Sequence, residues 1–310
     1  AYEIVVRLVG SEMCIRDRNK INNDPRHPMQ NRFKGIFAPG SSLKPIIAAI
    51  GLSQNKFSAS DDFGNSGKRW QKNKSWGGYY VTTLHDYSGH NVRNALIYSD
   101  NIYFAKAALK IGKDTLKDQF DNLLFGKNLD FTFGLTASSY GSEGFTSEIQ
   151  LADSGYGQGE MMVNPVHMAT IYTAFSNKGN MLNPYLIKQK GSKKQVLREH
   201  VFSNDAVKTV NDAMKQVISN PNGTGHAAQI DGIDLKGKTG TAEIKQSQTD
   251  TKGTELGWFV TIMPKTEYKE SLELVSMTED VKKRGGSGYV VNKTKKILEA
   301  VSYTHLTLPT

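Results

Sequence analysis

The chain has 310 residues, a formal net charge of +9 at pH 7 and 38% hydrophobic residues. This length and apolar content suffice for one large folded domain or two modest ones, which excludes a disordered chain. The longest apolar runs, residues 46–52 and 259–263, are far shorter than the roughly 20 residues of a membrane-spanning helix. We predict no membrane-spanning segment here and expect any anchor to lie upstream of the sequence given.

The positive charge admits nucleic acid or an anionic surface as a partner. The lysines are scattered, however, without an Arg-rich helix or a nucleic-acid motif beside them, so we predict a solvated basic face and no nucleic-acid binding. The single cysteine, Cys14, excludes an internal disulfide, and the histidines lack ligand-type spacing. We predict no metal and no cofactor.

The two ends differ in character from the middle. Residues 1–18 and 301–310 resemble translated sequencing-adapter read-through, and we expect both to be non-native; the alternative is a genuine terminal strand and tail. Residues 19–300 are then the domain. This segment contains no cysteine, which suits an oxidising exterior.

The first half of the domain reads as helices joined by loops. Residues 41–52 begin with Ser, carry Pro45 in the first turn and are then almost uniformly apolar, which predicts a buried helix. Residues 64–80 are rich in Gly, Lys and Trp without a helical period and predict a structured loop or short strands. A second helix is predicted at residues 99–109, with Gly112 as its stop.

The second half changes from helices to strands. Residues 126–147 predict a long connection, followed by helices at 165–175 and 205–218 and a closing helix at 288–300. Three β-type runs, separated by two polar turns, predict an antiparallel meander. The runs are residues 235–244, 256–263 and 272–277, and the turns are residues 246–252 and 264–270. Helices followed by hairpin-linked strands indicate an α+β fold.

Three short motifs offer side chains suited to acyl transfer. They are Ser41-x-x-Lys44, Ser99-Asp100-Asn101 and Lys238-Thr239-Gly240. Each alone is weakly diagnostic, because the Ser-x-x-Lys pattern also occurs at residues 53–56. Their conjunction is more specific, because the first begins a helix, the second precedes one and the third lies on a strand.

The residue types in these motifs explain the chemistry. Ser41 and Lys44, three residues apart on a helix, share a face, so the amine can take the hydroxyl proton. A second cation such as Lys238 would lower the pKa of Lys44 toward that task. Ser99 and Asn101 are expected to relay a proton and to hold a substrate amide. The plainer alternatives are a helix cap at Ser41 and another at Ser99, with Asp100 capping or facing solvent.

The third motif predicts a strand edge beside an extended peptide. Lys238 and Thr239 would face the carboxylate of that peptide, and Gly240 would let the two backbones approach closely. The plainer alternative is an ordinary bulge glycine in a hairpin.

The sequence around these motifs resembles the three signature blocks of class B penicillin-binding proteins. The blocks read PGSSLKP at 39–45, YSDNIYF at 98–104 and GKTGTAE at 237–243. Two further runs are similar to the low-affinity, β-lactam-resistance branch of Gram-positive bacteria, and the likeness spans about residues 31–300. These runs are RWQKNKSWGGY at 69–79 and LADSGYGQGE at 151–160, the latter followed by NPV at 164–166.

This resemblance implies a penicillin-binding protein or serine β-lactamase-like fold, with an antiparallel sheet flanked by helices and a mainly helical subdomain. It implies D,D-transpeptidation: Ser41 attacks stem peptides ending in D-Ala-D-Ala, β-lactams acylate the same serine, and the backbone N–H groups of Ser41 and Thr241 hold the oxyanion. It also implies an extracytoplasmic location, an upstream membrane anchor and a glycosyltransferase partner.

Rival interpretations remain open from the sequence alone. Within the same superfamily these are a serine β-lactamase or a D,D-carboxypeptidase, although neither Glu143 nor Glu148 has the context of a water-activating residue. From a different class the rival is a non-catalytic β-lactam sensor or a structural wall-binding paralogue. In the family, residues before the nucleophile supply early strands of the sheet, and here residues 1–18 take that place, so we expect the chain to lack strands that its own sheet needs.

Overall fold

The computed structural model of the protein describes residues 30–187, 194–244, 253–264 and 271–306. Within these ranges the chain forms eight α-helices and seven strands. The helices are α1 (Lys44–Ser53), α2 (Val92–Ile97), α3 (Asn101–Ile111), α4 (Lys113–Asn122), α5 (Glu148–Ser154), α6 (Pro165–Ser176), α7 (Asn204–Ser219) and α8 (Ser287–Leu306). The strands are β1 (Arg69–Trp70), β2 (Val81–Thr82), β3 (Met181–Leu182), β4 (Val196–Arg198), β5 (Lys236–Ile244), β6 (Thr254–Met263) and β7 (Leu272–Thr278).

The main sheet is antiparallel in the order β5-β6-β7. Lys238 pairs with Val260 and Gly240 with Trp258, which fixes the register of β5 on β6. Helices α7, α8 and α6 pack against β5, β6 and β7 respectively. Within the described sheet β5 is therefore an edge strand.

Helix α1 lies at the centre of the helical part. Its residues from Lys44 to Gly51 are all buried, which accounts for a segment without a polar face. Helices α3 and α7 pack against α1, α2 packs against α7, and α5 packs against α3. The start of α1 is thereby brought to the edge of the sheet, beside β5.

The α+β prediction is confirmed, and every predicted helix and strand exists, with its ends shifted by at most three residues except at the end of α8. Three helices (α2, α4 and α5) and the short strands β3 and β4 were not predicted. The stretch between α4 and α5 is a long connection, as expected, and residues 64–80 contain β1 and a 3-10 turn. Of the predicted polar turns, residues 246–252 and 265–270 lie outside the described residues, as do Cys14 and residues 1–29 and 307–310.

Helix α8 continues through Leu306, six residues past its predicted end. Among the helices that the structure describes, none has both the length and the apolar character that a bilayer crossing requires.

Candidate active site

Ser41 lies in a short 3-10 turn, Gly40–Leu43, that runs directly into α1. The backbone N–H of Lys44 donates to the Ser41 carbonyl, so the turn and the helix are continuous. Ser41 is partly exposed, whereas Ser42, Leu43 and Lys44 are buried. Ser41 is therefore the one residue of this turn that is not buried, and the three side chains after it lie in the core.

Glycines allow other backbones to hold this turn closely. Gly40 has a φ of +52°, and its N–H donates to the Gly157 carbonyl over 2.9 Å. A Cβ added to Gly40 would lie 2.3 Å from the carbonyl oxygen of Thr241, and one added to Gly157 would lie 2.1 Å from the carbonyl oxygen of Gly40. A Cβ on Gly240 would lie 2.8 Å from the backbone nitrogen of Ser42. The turn is thus clamped between residue 157 and strand β5.

Two fully buried lysines converge on Ser99. Lys44 Nζ donates to the Ser99 carbonyl over 2.6 Å, to Ser99 Oγ over 3.2 Å and to Asn101 Oδ1 over 2.7 Å. Lys238 Nζ donates to the same Ser99 Oγ over 2.8 Å and to the Thr239 carbonyl over 3.0 Å. One hydroxyl therefore bridges an amine from α1 and an amine from β5.

Burial disfavours the charged forms of both amines. It lowers the pKa of Lys44 well below its usual value, the charge of Lys238 lowers it further, and Asp100 acts in the opposite direction. Burial lowers the pKa of Lys238 to about 7. Because both amines contact the same hydroxyl, their positive charges repel each other and favour loss of a proton from the pair, so one amine can act as a base and the other as an acid.

The Ser99 turn is strained and rigidly held. Ser99 has a φ of +55°, a left-handed conformation that a serine adopts only when its surroundings enforce it. Asp100 caps α3, since its Oδ1 accepts the N–H of Ile102 over 2.8 Å, and its Oδ2 accepts the hydroxyl of Tyr87 over 2.8 Å. The alternative that Asp100 faces solvent is wrong, because the residue is only 2% exposed. The cap of α3 is Asp100 and not Ser99.

Asn101 joins the lysine pair to the short ribbon of β1 and β2. Its Oδ1 accepts from Lys44, and its Nδ2 donates to the Thr82 carbonyl over 3.0 Å. The carboxamide is thus oriented by contacts at both ends. Strand β2 forms a wall of the site on the side away from β5.

Strand β5 supplies the opposite wall. The Thr241 carbonyl faces Gly40, which is away from β6. Since the N–H and C=O of one residue point to the same side of an antiparallel strand, the Thr241 N–H also points toward the Ser41 turn. The Thr239 carbonyl meets Lys238 on that side, and the Thr239 hydroxyl donates to Thr224 Oγ1 over 2.7 Å. This edge can receive an extended peptide beside Ser41.

The comparisons with known proteins agree with this geometry. The model of the penicillin binding protein transpeptidase domain family matches residues 12–299. The chain belongs to this family. Penicillin-binding protein 3 of Bacillus subtilis (strain 168) is 39% identical over 283 residues, which cover 91% of this chain and 42% of that protein. Peptidoglycan D,D-transpeptidase FtsI of Escherichia coli (strain K12) is 28% identical over 228 residues, covering 73% of this chain and 37% of that protein. The chain spans less than half the length of these relatives.

Solved structures show the same fold. The D,D-transpeptidase domain of peptidoglycan glycosyltransferase from Eggerthella lenta superposes with a TM-score of 0.75 at 24% identity, covering 95% of this chain and 72% of that one. PBPA from Mycobacterium tuberculosis gives a TM-score of 0.78 at 17% identity, covering 94% of this chain and 67% of that one. The predicted penicillin-binding protein transpeptidase fold is confirmed.

The structure places all eight residues that the sequence predicts for the penicillin-binding site in one region. Lys44, Ser99, Asn101 and Lys238 are joined by hydrogen bonds, and Thr239 is bonded to Lys238. The remaining three lie where the Ser41 turn packs against Gly240 and Thr241. Within the described residues, no group of three His, Cys, Asp or Glu side chains is arranged to hold a metal ion.

Sequence reasoning missed several residues that support the site. Gly157 lies in a run used for the family resemblance, but only its contact with Gly40 reveals its role. A half-buried carboxylate, Asp153, accepts the hydroxyls of Tyr79 and Tyr156 and so ties the loop before β2 to the end of α5. No local signal marks such long-range pairs. Glu148 accepts from the indole N–H of Trp76 and pairs with Lys72. Its carboxylate is therefore engaged by these two residues and not by Lys44 or Lys238.

Proposed function

We propose that this domain is a peptidoglycan D,D-transpeptidase that works through an acyl-enzyme on Ser41 and is acylated by β-lactams at the same residue. One observation carries the proposal: the buried amines of Lys44 and Lys238 share the Ser99 hydroxyl beside the turn that presents Ser41. A helix cap needs no such arrangement. A serine nucleophile needs a base with a lowered pKa, and the burial of both amines provides one.

The first half-reaction forms an ester and releases D-alanine. Neutral Lys44 takes the Ser41 proton, and Ser41 Oγ bonds to the carbonyl carbon of the D-Ala-D-Ala peptide bond. As that C–N bond breaks, a proton passes from the lysine pair, through the Ser99 hydroxyl, to the departing amine. An amine from a neighbouring stem peptide then attacks the ester, loses a proton to the same pair and restores Ser41.

The walls of the site explain how the peptide and the oxyanion are held. The peptide lies along β5, with its carboxylate toward Thr239 and the charge of Lys238, and Gly240 keeps the strand close to the Ser41 turn. The backbone N–H groups of Ser41 and Thr241 hold the oxyanion. Losing one such donor typically costs ~2.7–4 kcal/mol of barrier.

We infer the finer assignment from the sequence blocks quoted above. The domain belongs to class B and to its low-affinity, β-lactam-resistance branch, works on the outer face of the cell membrane behind an upstream anchor, and meets a glycosyltransferase partner. We also propose that residues 1–18 and 301–310 are not native to the domain. Low affinity predicts slow acylation, so a fast second-order rate with benzylpenicillin would contradict the branch assignment.

The decisive experiment is intact mass spectrometry after incubation with a penicillin, with the adduct mapped to its peptide. The wild type should gain one penicilloyl group on residues around Ser41, and the Ser41→Ala variant should gain none. An adduct that persists in the variant, or no adduct in the wild type, would remove the nucleophile assignment.

Further assays separate the rival activities. A transpeptidase transfers a donor stem to an added amine acceptor. A carboxypeptidase releases D-alanine without needing the acceptor, and a β-lactamase turns over more than one equivalent of nitrocefin. A sensor acylates but performs neither transfer nor release. Strand transfer by the wild type, lost in Ser41→Ala, supports the proposal.

A further inference from the structure

Asp100 occupies a position between the two residues that hold Lys44. Ser99 and Asn101 each accept from Lys44 Nζ, and the Asp100 carboxylate lies between them in sequence at 2% exposure. A carboxylate this buried is costly unless its charge is used or compensated. Its two oxygens accept from a backbone N–H and from Tyr87, both neutral donors.

The two lysines, in turn, have no charged hydrogen-bond partner in the structure. The acceptors of Lys44 and Lys238 in the structure are Ser99 O, Ser99 Oγ, Asn101 Oδ1 and Thr239 O, all of them uncharged. A buried ammonium with neutral partners only is prone to lose its proton. Asp100 is the carboxylate whose charge acts on Lys44 and raises its pKa against burial and against Lys238.

We propose that Asp100 is a positioning residue that supplies a buried negative charge, and that this charge keeps one proton on the Lys44–Lys238 pair. The proton lies on Lys238 when Lys44 takes the Ser41 proton, and the Ser99 hydroxyl that both amines contact connects the two positions. The inference rests on the proposed function, in which the pair is both base and acid. With two protons the pair has no base. With none, it has no acid for the leaving amine and no charge for the substrate carboxylate.

Helix capping alone does not require this charge. Asn and Ser cap helices about as well as Asp, because capping needs only an acceptor for the N2 or N3 backbone N–H. Capping and charge can therefore be separated by substitution. Other groups surround the carboxylate and must be accounted for in a titration. Tyr87 and His90 come from the loop before α2, and His90 Nδ1 lies 3.7 Å from Asp100 Oδ2. Tyr103 and Lys106 come from α3. Asp62 accepts the backbone N–H of His90.

The test is the pH dependence of acylation by a fluorescent penicillin. Asp100→Asn and Asp100→Ser keep a cap and remove the charge. The acidic and the basic limb of the plot of acylation rate against pH should then both shift to lower pH by about one unit. This is the size expected when a unit negative charge is removed from a partly desolvated site beside the lysines. Unchanged limbs, with only a lower melting temperature, would reduce Asp100 to a cap and overturn the proposal.

Tyr87→Phe gives an independent test with the opposite sign. It removes the hydroxyl that donates to Asp100 but keeps the ring, which stacks on Tyr98 at 4.5 Å, so the fold should survive. Losing this donor leaves the carboxylate charge less compensated, and both limbs should move toward alkali by a fraction of a unit. If the Asp100 variants do not fold, this variant decides: no shift, or an acid shift, contradicts the proposal.

Two controls complete the design. His90→Gln removes an imidazole near Asp100 and keeps the carboxylate, so the acid limb should persist; its disappearance would assign that limb to His90 and overturn the proposal. The proposed function fails separately, because a wild type that takes no label at Ser41 fails before any profile is measured.

Discussion

The clamp on the Ser41 turn can be tested with a single methyl group. In Gly40→Ala the new Cβ would lie 2.3 Å from the Thr241 carbonyl oxygen, where a backbone atom cannot step aside. The residue also keeps a φ of +52°, which costs about 1–2 kcal/mol for alanine. Overpacking adds about 1–3 kcal/mol. The free energy of unfolding should therefore fall by about 2–5 kcal/mol, and the turn should move away from β5.

Gly126→Ala is the matched control. Gly126 has a φ of +73°, and a Cβ there would meet nothing within 4 Å. This variant is therefore destabilised by the left-handed backbone but not by a steric clash. Urea unfolding gives the stability difference, and fluorescent-penicillin labelling gives the second-order acylation rate. We expect acylation by Gly40→Ala to fall about 100-fold, since an error near 1 Å in a reacting group costs that much. Equal stability and equal labelling rates in the two variants would refute the close packing of the turn on β5.

Three further predictions concern titratable side chains. Because burial lowers the pKa of Lys238 to about 7, the unfolded chain binds more protons than the folded chain between pH 7 and the ordinary pKa of lysine. The free energy of unfolding should therefore rise with pH over that range. Lys238→Met should flatten this rise, as measured by the urea midpoint at each pH. Burial likewise lowers the pKa of His167 to about 4, so stability should fall as pH drops from about 6.5 toward 4, and His167→Gln should make this fall shallower. Tyr79→Phe deletes a hydroxyl bonded to Asp153 and should lower the free energy of unfolding by about 1–3 kcal/mol, more than Tyr80→Phe does.

The sequence predicts the fold where one local signal dominates. Helix α1 is apolar apart from Lys44 and Ser53, and strands β5 to β7 are β-type runs, so the ends of these elements were predicted to within three residues. Helices α2 and α5, of six and seven residues, are too short to show a periodic stripe. Helix α4 has only two buried residues, Leu116 and Phe120, and its polar composition hid it. Short or mostly polar helices are defined by tertiary packing, which local patterns do not record.

The site divides in the same way. Motif spacing and order predicted Ser41, Lys44 and Lys238 as site residues, because side-chain chemistry restricts which residue types can act there. The left-handed backbone at Ser99 and the burial of Asp100 were not predictable, since both depend on how α2 meets α3. The contact between Gly157 and Gly40 joins positions 117 residues apart. A single sequence can show that a glycine lies in a motif, but it does not predict which distant residue the glycine contacts.

The same burial that lowers the pKa of both amines should make the folded domain less stable at neutral pH. Lys238 has only neutral acceptors, Ser99 Oγ and the Thr239 carbonyl, so its charged form is penalised in the folded state. Methionine fills a similar volume without a charge. Lys238→Met should therefore abolish acylation while leaving stability at pH 7 equal to or above that of the wild type. If the variant lost both acylation and stability, the hydrogen bonds of the Lys238 ammonium to the Ser99 turn would stabilise the fold by more than the desolvation of its charge destabilises it.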